Sequence, residues 1–219
     1  MKAHEKLLLE NKAWAQEKLQ LDGKIFENSM KGERPGYMWI GCSDSRMPAN
    51  IITNSEPGDI HEHRNFGNIV SINDINLMSA VQHAVEDLGV NHIIVCGHSH
   101  CHAIQTAISN RHSGLMNKWL SPIKETYQKY ESELSAKEDS ASRSSRLAEL
   151  HVIEQVHNLA KAAVVQYSWQ KKKRPCIHGW FYDMTSGLLR ELIKVDQLSQ
   201  VPEIFQFDFT RNPDHYGNY

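Results

Sequence analysis

Apolar and polar positions follow different rhythms in different stretches of this chain. Across residues 2–29, Leu7, Leu8, Trp14, Leu19 and Phe26 stand among Lys, Glu and Gln, a spacing that predicts one or two amphipathic helices. This leader, residues 1–34, reads as a helical arm that serves as a packing element or an oligomer contact. From Tyr37 the pattern becomes a short apolar run, Tyr37-Met-Trp-Ile-Gly-Cys42, bounded by Pro35-Gly36 and by the polar Ser43-Asp44-Ser45-Arg46. That is the pattern of a buried strand with a polar loop at its carboxyl end. Pro48 opens a short helix, and Ile60-His-Glu-His-Arg-Asn65 reads as a short strand running into a loop.

Asn73-Asp74 offers a cap for a helix through Asp87, with Ile75, Met78, Val81, Val85 and Leu88 on one face and Gly89 as its stop. His92-Ile-Ile-Val-Cys96-Gly97 is the clearest buried strand, and it runs into His98-Ser-His-Cys101 and then a helix through Asn110. Residues 131–146 are rich in Ser and charge, the composition of a surface connection or frayed helix. A long helix is predicted from Leu147 to Trp169, with a buried stripe of Leu150, Val152, Ile153, Val156, Leu159, Ala160, Ala163, Val164 and Tyr167. The basic run Lys171–Arg174 reads as its solvated end. Cys176–Tyr182 and Gly187–Ile193 follow as strands close enough for a hairpin. Strand, helix, strand order with Val/Ile-rich strands implies parallel pairing through right-handed crossovers. The fold class is therefore α/β: a mostly parallel central sheet of about four strands plus an antiparallel edge strand, flanked by helices, as a single domain over residues 35–219 with an N-terminal helical arm.

Charge narrows the function classes. Lys and Arg number 24 against 26 Asp and Glu, a net charge of −2, which argues against a general nucleic-acid binder. No run approaches the ~20 apolar residues that span a bilayer, and the charged N-terminus lacks the apolar core of a signal peptide, so the expectation is a cytoplasmic protein without membrane partners. Four cysteines are too few for a disulfide scaffold, while thirteen histidines are many. That imbalance directs attention to a metal.

Cys42, His98 and Cys101 fall at the carboxyl ends of two predicted parallel strands, where functional groups of such sheets collect. Two thiolates and one imidazole suit zinc, and three protein ligands leave a fourth position for water, the mark of a catalytic site. Taken singly, each cysteine also fits an ordinary buried thiol; Cys96, inside an Ile-Val strand, and Cys176, with no evident partner, are read that way. Glu154-x-x-His157 imitates half of a di-iron motif but has no second copy, and is read as helix surface.

Four segments, in order, resemble the beta-class carbonic anhydrases: Trp39-Ile-Gly-Cys42-Ser-Asp44-Ser-Arg46-Met-Pro48; Gly58-Asp-Ile through His63-Arg64-Asn65; Ile93-Ile-Val-Cys96-Gly97-His98-Ser-His-Cys101; and His178-Gly-Trp-Phe-Tyr182-Asp183 with Gly187-Leu188. The resemblance implies one zinc per chain held by Cys42, His98 and Cys101, with Asp44 paired to Arg46 beside it, or Asp44 as fourth ligand in a closed form. It implies reversible hydration of carbon dioxide to bicarbonate and a proton by zinc-bound hydroxide, and self-association as a dimer or dimer of dimers with the arm lying over the partner. Within the family the chain is similar to the bicarbonate-regulated bacterial subclass, whose second anion pocket matches Trp39, Arg64 and Tyr182. Two thiolates donate more charge to zinc than imidazoles do, so hydration is expected to rise toward alkaline pH.

The chain departs from the family pattern at His61, His83 and His102. If the residue after Cys101 requires a glycine conformation, His102 strains the loop; otherwise it begins the helix. His83, His100 and His102 are candidates for moving protons to buffer. Hydrolysis of carbonyl sulfide or carbon disulfide at the same zinc is the alternative activity, and a non-catalytic zinc or redox protein in which Cys42 and Cys101 form a disulfide or a closed metal site is the alternative class.

Overall fold

The computed structural model describes every residue except 1, 31, 33, 34, 110, 113 and 210–219. The chain divides into two compact units, residues 1–34 and 35–219. The first carries α1 (Ala3–Leu21) and α2 (Ile25–Ser29). Trp14 and Phe26 pack ring to ring at 5.8 Å, and α1 has no buried residue.

The second unit is built on five strands, β1 (Tyr37–Cys42), β2 (Ile60–Asn65), β3 (His92–His98), β4 (Cys176–Asp183) and β5 (Leu188–Val195), in the order β2-β1-β3-β4-β5. All neighbours are parallel except β4 and β5, which form the antiparallel edge. The α/β sheet and its hairpin are as the sequence predicts.

Helices α3 (Ala49–Thr53) and α4 (Ile75–Gln82) stand between the first three strands, and α4 continues as one π-helical turn, His83–Leu88. Asp74 caps α4 by accepting from Asn76 N and Leu77 N, and Gly89, at φ 68°, ends the π turn. The buried stripe differs from expectation. Leu77, Val81, Ala84 and Val85, at regular helical spacing, face the core, and Ile75, the first residue of α4, is 84% exposed.

After β3 come α5 (His102–Ile108), α6 (Leu115–Trp119), α7 (Ser121–Lys129), α8 (Glu131–Ser135), α9 (Ser140–Ala160) and α10 (Ala163–Lys172). The predicted end of α5 at Asn110 lies outside the described residues. The single helix expected over 147–169 is two. Helix α9 starts earlier, where Asp139 accepts from Ser142 N, and it breaks at Lys161–Ala162. Gln166 Nε2 satisfies the freed Ala160 carbonyl at 3.0 Å, and Ala160, Ala162, Val164 and Val165 on both sides of the break lie in the core. Glu154 is not bare helix surface: Lys129 Nζ and Tyr130 OH both donate to its Oε1 at 2.8 Å, tying α9 to α7.

Helix α9 lies directly on one face of the sheet. A Cβ on Gly179 would stand 2.7 Å from Ile193 Cγ2 and 3.0 Å from both Val152 Cγ1 and Val156 Cγ2, so only glycine admits the helix this closely. Gly179→Ala is expected to cost about 1–3 kcal/mol by overpacking. Urea denaturation reads this directly, and an unchanged midpoint would show that α9 relaxes away freely.

Candidate metal centre

Parallel pairing sets the ends of β1 and β3 side by side: Gly41 is registered with Cys96, and His98 with Tyr182 of β4. The chain leaving each strand end carries a ligand. Cys42 and Cys101 are free thiols, both buried, with sulfurs 3.9 Å apart, too far for a disulfide. With His98 they offer one ligand atom each within 4.8 Å of one another. His98 has no exposed surface. Its Nδ1–H donates to the Ser99 carbonyl at 2.9 Å, which leaves Nε2 as the bare lone pair, and Nε2 has no hydrogen-bond partner.

A buried imidazole nitrogen without a partner is costly unless something else takes its lone pair, and a zinc ion beside two sulfurs would do so. The thiols support the same reading. The S–H of Cys101 donates to Cys42, which pushes the Cys42 pKa down and that of Cys101 up. The Gly67 N–H, 3.4 Å from Sγ, lowers Cys42 further against its burial. One proton shared by two buried sulfurs is what a soft cation displaces. The residues fit zinc.

Asp44 follows two residues after Cys42. Arg46 grips its carboxylate from both sides, Nε to Oδ1 at 2.9 Å and Nη2 to Oδ2 at 2.6 Å, while the Arg46 backbone N–H adds a bond to Oδ1 at 3.0 Å. That grip holds Asp44 well below the usual carboxylate range, against the effect of its partial burial. Oδ2 stands 4.0 Å from His98 Nε2, so the carboxylate is beside the ligand cluster with Arg46 holding it.

Arg64, on β2, donates through Nε to the Cys42 carbonyl at 2.9 Å and through Nη2 to the Asp44 carbonyl. Trp39 is buried, its indole leaning over Gly41, where a Cβ would stand 2.5 Å from Nε1. Gly41 is registered with Arg64, so indole and guanidinium share one face of neighbouring strands. Tyr182 packs against the same apolar cluster as Trp39, but its hydroxyl lies toward Gly187, 3.9 Å from where a Cβ there would be.

The three candidate proton carriers separate. His100 and His102 flank Cys101 and are exposed. His102 begins α5, with Cys101 as the residue before it; the left-handed conformation falls instead on His100, at φ 56°. His83 pairs with Asp87 at 2.7 Å and meets the His61 ring at 5.6 Å. His61 is registered with Met38, near the amino end of β1, so these two histidines lie at the opposite end of the strands from Cys42.

Sequence reasoning missed the support beneath the ligands. Asn65 closes the loop after β2, its Oδ1 accepting from Ile69 N and its Nδ2 donating to Ile69 O, both at 2.8 Å. Buried His151 on α9 donates from Nε2 to the Gly67 carbonyl at 3.1 Å, and Gln155 Oε1 accepts from Val70 N at 2.8 Å. Ser99 Oγ accepts from Met184 N at 2.9 Å, fixing the residue that orients His98. A polar residue inside an otherwise apolar helical stripe, as His151 and Gln155 are, is the signal that was available.

A parallel α/β sheet with a buried pair of thiols and an imidazole at its carboxyl edge defines a metal-site protein with an open ligand position. A family model described as carbonic anhydrase matches residues 37–189. The carbonic anhydrase of Emericella nidulans is 41% identical over 86% of this chain and 83% of its own length. Among solved structures, a tetrameric beta-carbonic anhydrase of Sordaria macrospora superposes with a TM-score of 0.85 at 35% identity, covering 88% of this chain and 98% of that one. A beta-carbonic anhydrase of Aspergillus fumigatus gives 0.83 at 33%, covering 87% and 91%. The chain belongs to the beta-class carbonic anhydrase family.

Proposed function

We propose that this protein catalyses reversible hydration of carbon dioxide to bicarbonate and a proton, with zinc at Cys42, His98 and Cys101. The observation that carries this is the unpartnered, buried Nε2 of His98 beside two thiols and the Arg46-held carboxylate of Asp44. Zinc in such a site supplies a Lewis acid that brings the ionisation of water toward neutrality. Asp44, kept ionised by Arg46, accepts a hydrogen bond from the reacting water at Oδ2 and fixes its orientation. Arg46 positions Asp44 and does not touch the substrate. His100 and His102, exposed beside Cys101, pass the released proton to buffer.

Stopped-flow hydration across about pH 6 to 9 tests this: with two thiolates on the metal the rate climbs toward the alkaline end. A chain that holds zinc yet hydrates carbon dioxide no faster than buffer, or hydrolyses carbonyl sulfide in preference, would sink the assignment.

We propose also that bicarbonate regulates the enzyme at Trp39, Arg64 and Tyr182. Arg64 supports this reading because its guanidinium holds the carbonyls of Cys42 and Asp44; an anion competing for it acts on the ligand loop. Added bicarbonate is expected to slow hydration beyond simple product inhibition, and Tyr182→Phe to remove only the extra loss. Identical inhibition of both proteins would contradict the pocket.

A tetramer built as a dimer of dimers is proposed on two grounds: the tetrameric relative of Sordaria macrospora, and an α1 whose Leu7, Leu8 and Leu21 are exposed within this chain. Light scattering on the purified protein decides it. Among the described residues no helix is long and apolar enough to cross a membrane.

A further inference from the structure

Cys176, which the sequence suggests is a core thiol without a partner, is half-buried and has two imidazoles beside it. His92, Cys176 and His178 each offer a ligand atom within 4.8 Å of the others, and His92 Nδ1 and His178 Nε2 are 3.1 Å apart. We propose that these three residues form a second metal site, for a borderline cation of the zinc type, separate from the centre at Cys42.

The sheet register builds the cluster. His92 is registered with Cys176 and Ile94 with His178, so all three side chains leave one face of β3 and β4 at their amino ends. His98 is the last residue of β3 and Cys101 follows it, about 20 Å along the strand from His92 at 3.3 Å per residue. The two centres therefore share no ligand and act apart.

Both imidazoles are held in place. Tyr37 stacks on His92, with centroids 5.5 Å apart and planes 22° from parallel. His178 donates from Nδ1 to Glu191 Oε2 at 2.7 Å, the carboxylate–histidine arrangement that fixes a ligating imidazole and leaves Nε2 as its donor to a metal. A β-bulge makes that contact. Gly179 is registered with Ile193 but Trp180 with Glu191, leaving Leu192 unpaired. In unbroken pairing Leu192 would face Trp180; the extra residue brings Glu191 onto the histidine face, where Trp180 Nε1 also reaches it at 3.3 Å.

The chemistry of the donors selects the cation. Two imidazoles and one thiolate suit zinc and exclude calcium and magnesium, which take oxygen ligands. Metal–nitrogen and metal–sulfur bonds of about 2.0 and 2.3 Å put tetrahedral ligand atoms about 3.3–3.6 Å apart, so the cluster needs movements of about an ångström to close. Lys194 places a positive charge near Cys176, and Glu191 and Asp196 place two negative ones. Binding displaces the proton shared between His92 and His178 and the proton of the Cys176 thiol. Three ligands leave a fourth position, where water or a small anion completes the shell.

The test counts metal in the full-length protein after equilibration with zinc and removal of the excess. The wild type is expected to hold about two zinc ions per chain, and Cys176→Ala and His178→Gln about one each, with carbon dioxide hydration unchanged. Cobalt substitution reports the thiolates. In Cys42→Ser/Cys101→Ser, a sulfur-to-cobalt charge-transfer band remains that belongs to Cys176, and adding Cys176→Ala removes it. One zinc in the wild type, or a second equivalent untouched by both substitutions, would overturn the site. Failure of hydration is read separately from the metal count and bears on the first centre alone.

Discussion

Cys42→Ser is expected to abolish carbon dioxide hydration and empty the zinc site, while Cys96→Ala leaves both intact. The two thiols sit in adjacent strands and both are buried, yet their surroundings differ in kind. Cys96 meets apolar side chains and its own chain, its thiol donating to the Gly97 carbonyl, and burial pushes its pKa up. Cys42 accepts from the Gly67 N–H and from Cys101, so its environment stabilises a thiolate. Structural zinc is worth about 10–16 kcal/mol shared over four ligands, so one thiolate carries about 3 kcal/mol or more, roughly a hundredfold in affinity. A hydroxyl does not replace it at neutral pH. Metal analysis and stopped-flow rates on the two variants check the contrast. Zinc and activity retained by Cys42→Ser, or lost equally in Cys96→Ala, would mean the centre lies elsewhere.

Why Cys42 was legible in the sequence and its support was not follows from how each is encoded. The ligands sit where apolar strands give way to polar residues, a change of pattern that a linear reading detects, and parallel topology then places both strand ends together. The fold was legible for the same reason: Tyr37–Cys42, His92–His98 and the closing hairpin are short apolar runs between turn residues, and all five strands fall where the pattern puts them. The division of α9 from α10 was not legible, because Ala160, Lys161 and Ala162 are good helix formers and nothing in the local sequence marks a break. The π turn after Gln82 likewise leaves no mark in composition. Cys176 was misjudged because its partners come from register: His92 is 84 positions upstream, and a bulge on β5 brings in Glu191. Pairwise geometry of that kind is settled by the sheet, not by neighbours in the chain.

Acid is expected to weaken the fold through His151, and through it the metal centre. His151 is fully buried, and desolvation lowers its pKa from 6.5 to about 4, opposed by its hydrogen bond to Gly67. Between those values the unfolded chain binds a proton that the folded one refuses, so stability rises with pH across this window. The contribution is whole above pH 6.5, declines as pH falls, and is lost near pH 4, a difference of about 3 kcal/mol. Other titrating groups add their own slopes, so the informative quantity is the difference between wild type and His151→Gln. The variant is expected to be weaker at pH 7.5 by about 1–3 kcal/mol, because Gly67 loses its donor, and to lose less than the wild type between pH 7.5 and 5. Equal pH slopes in urea denaturation would remove His151 as the cause. The same change reaches the ligands. Gly67 accepts from His151 through its carbonyl and donates to Cys42 Sγ through its N–H, so loosening the 66–70 loop withdraws a hydrogen bond from the thiolate. Zinc affinity in His151→Gln is therefore expected to fall about 10–100-fold, the usual effect of removing an outer support of a metal ligand, and chelator competition measures it.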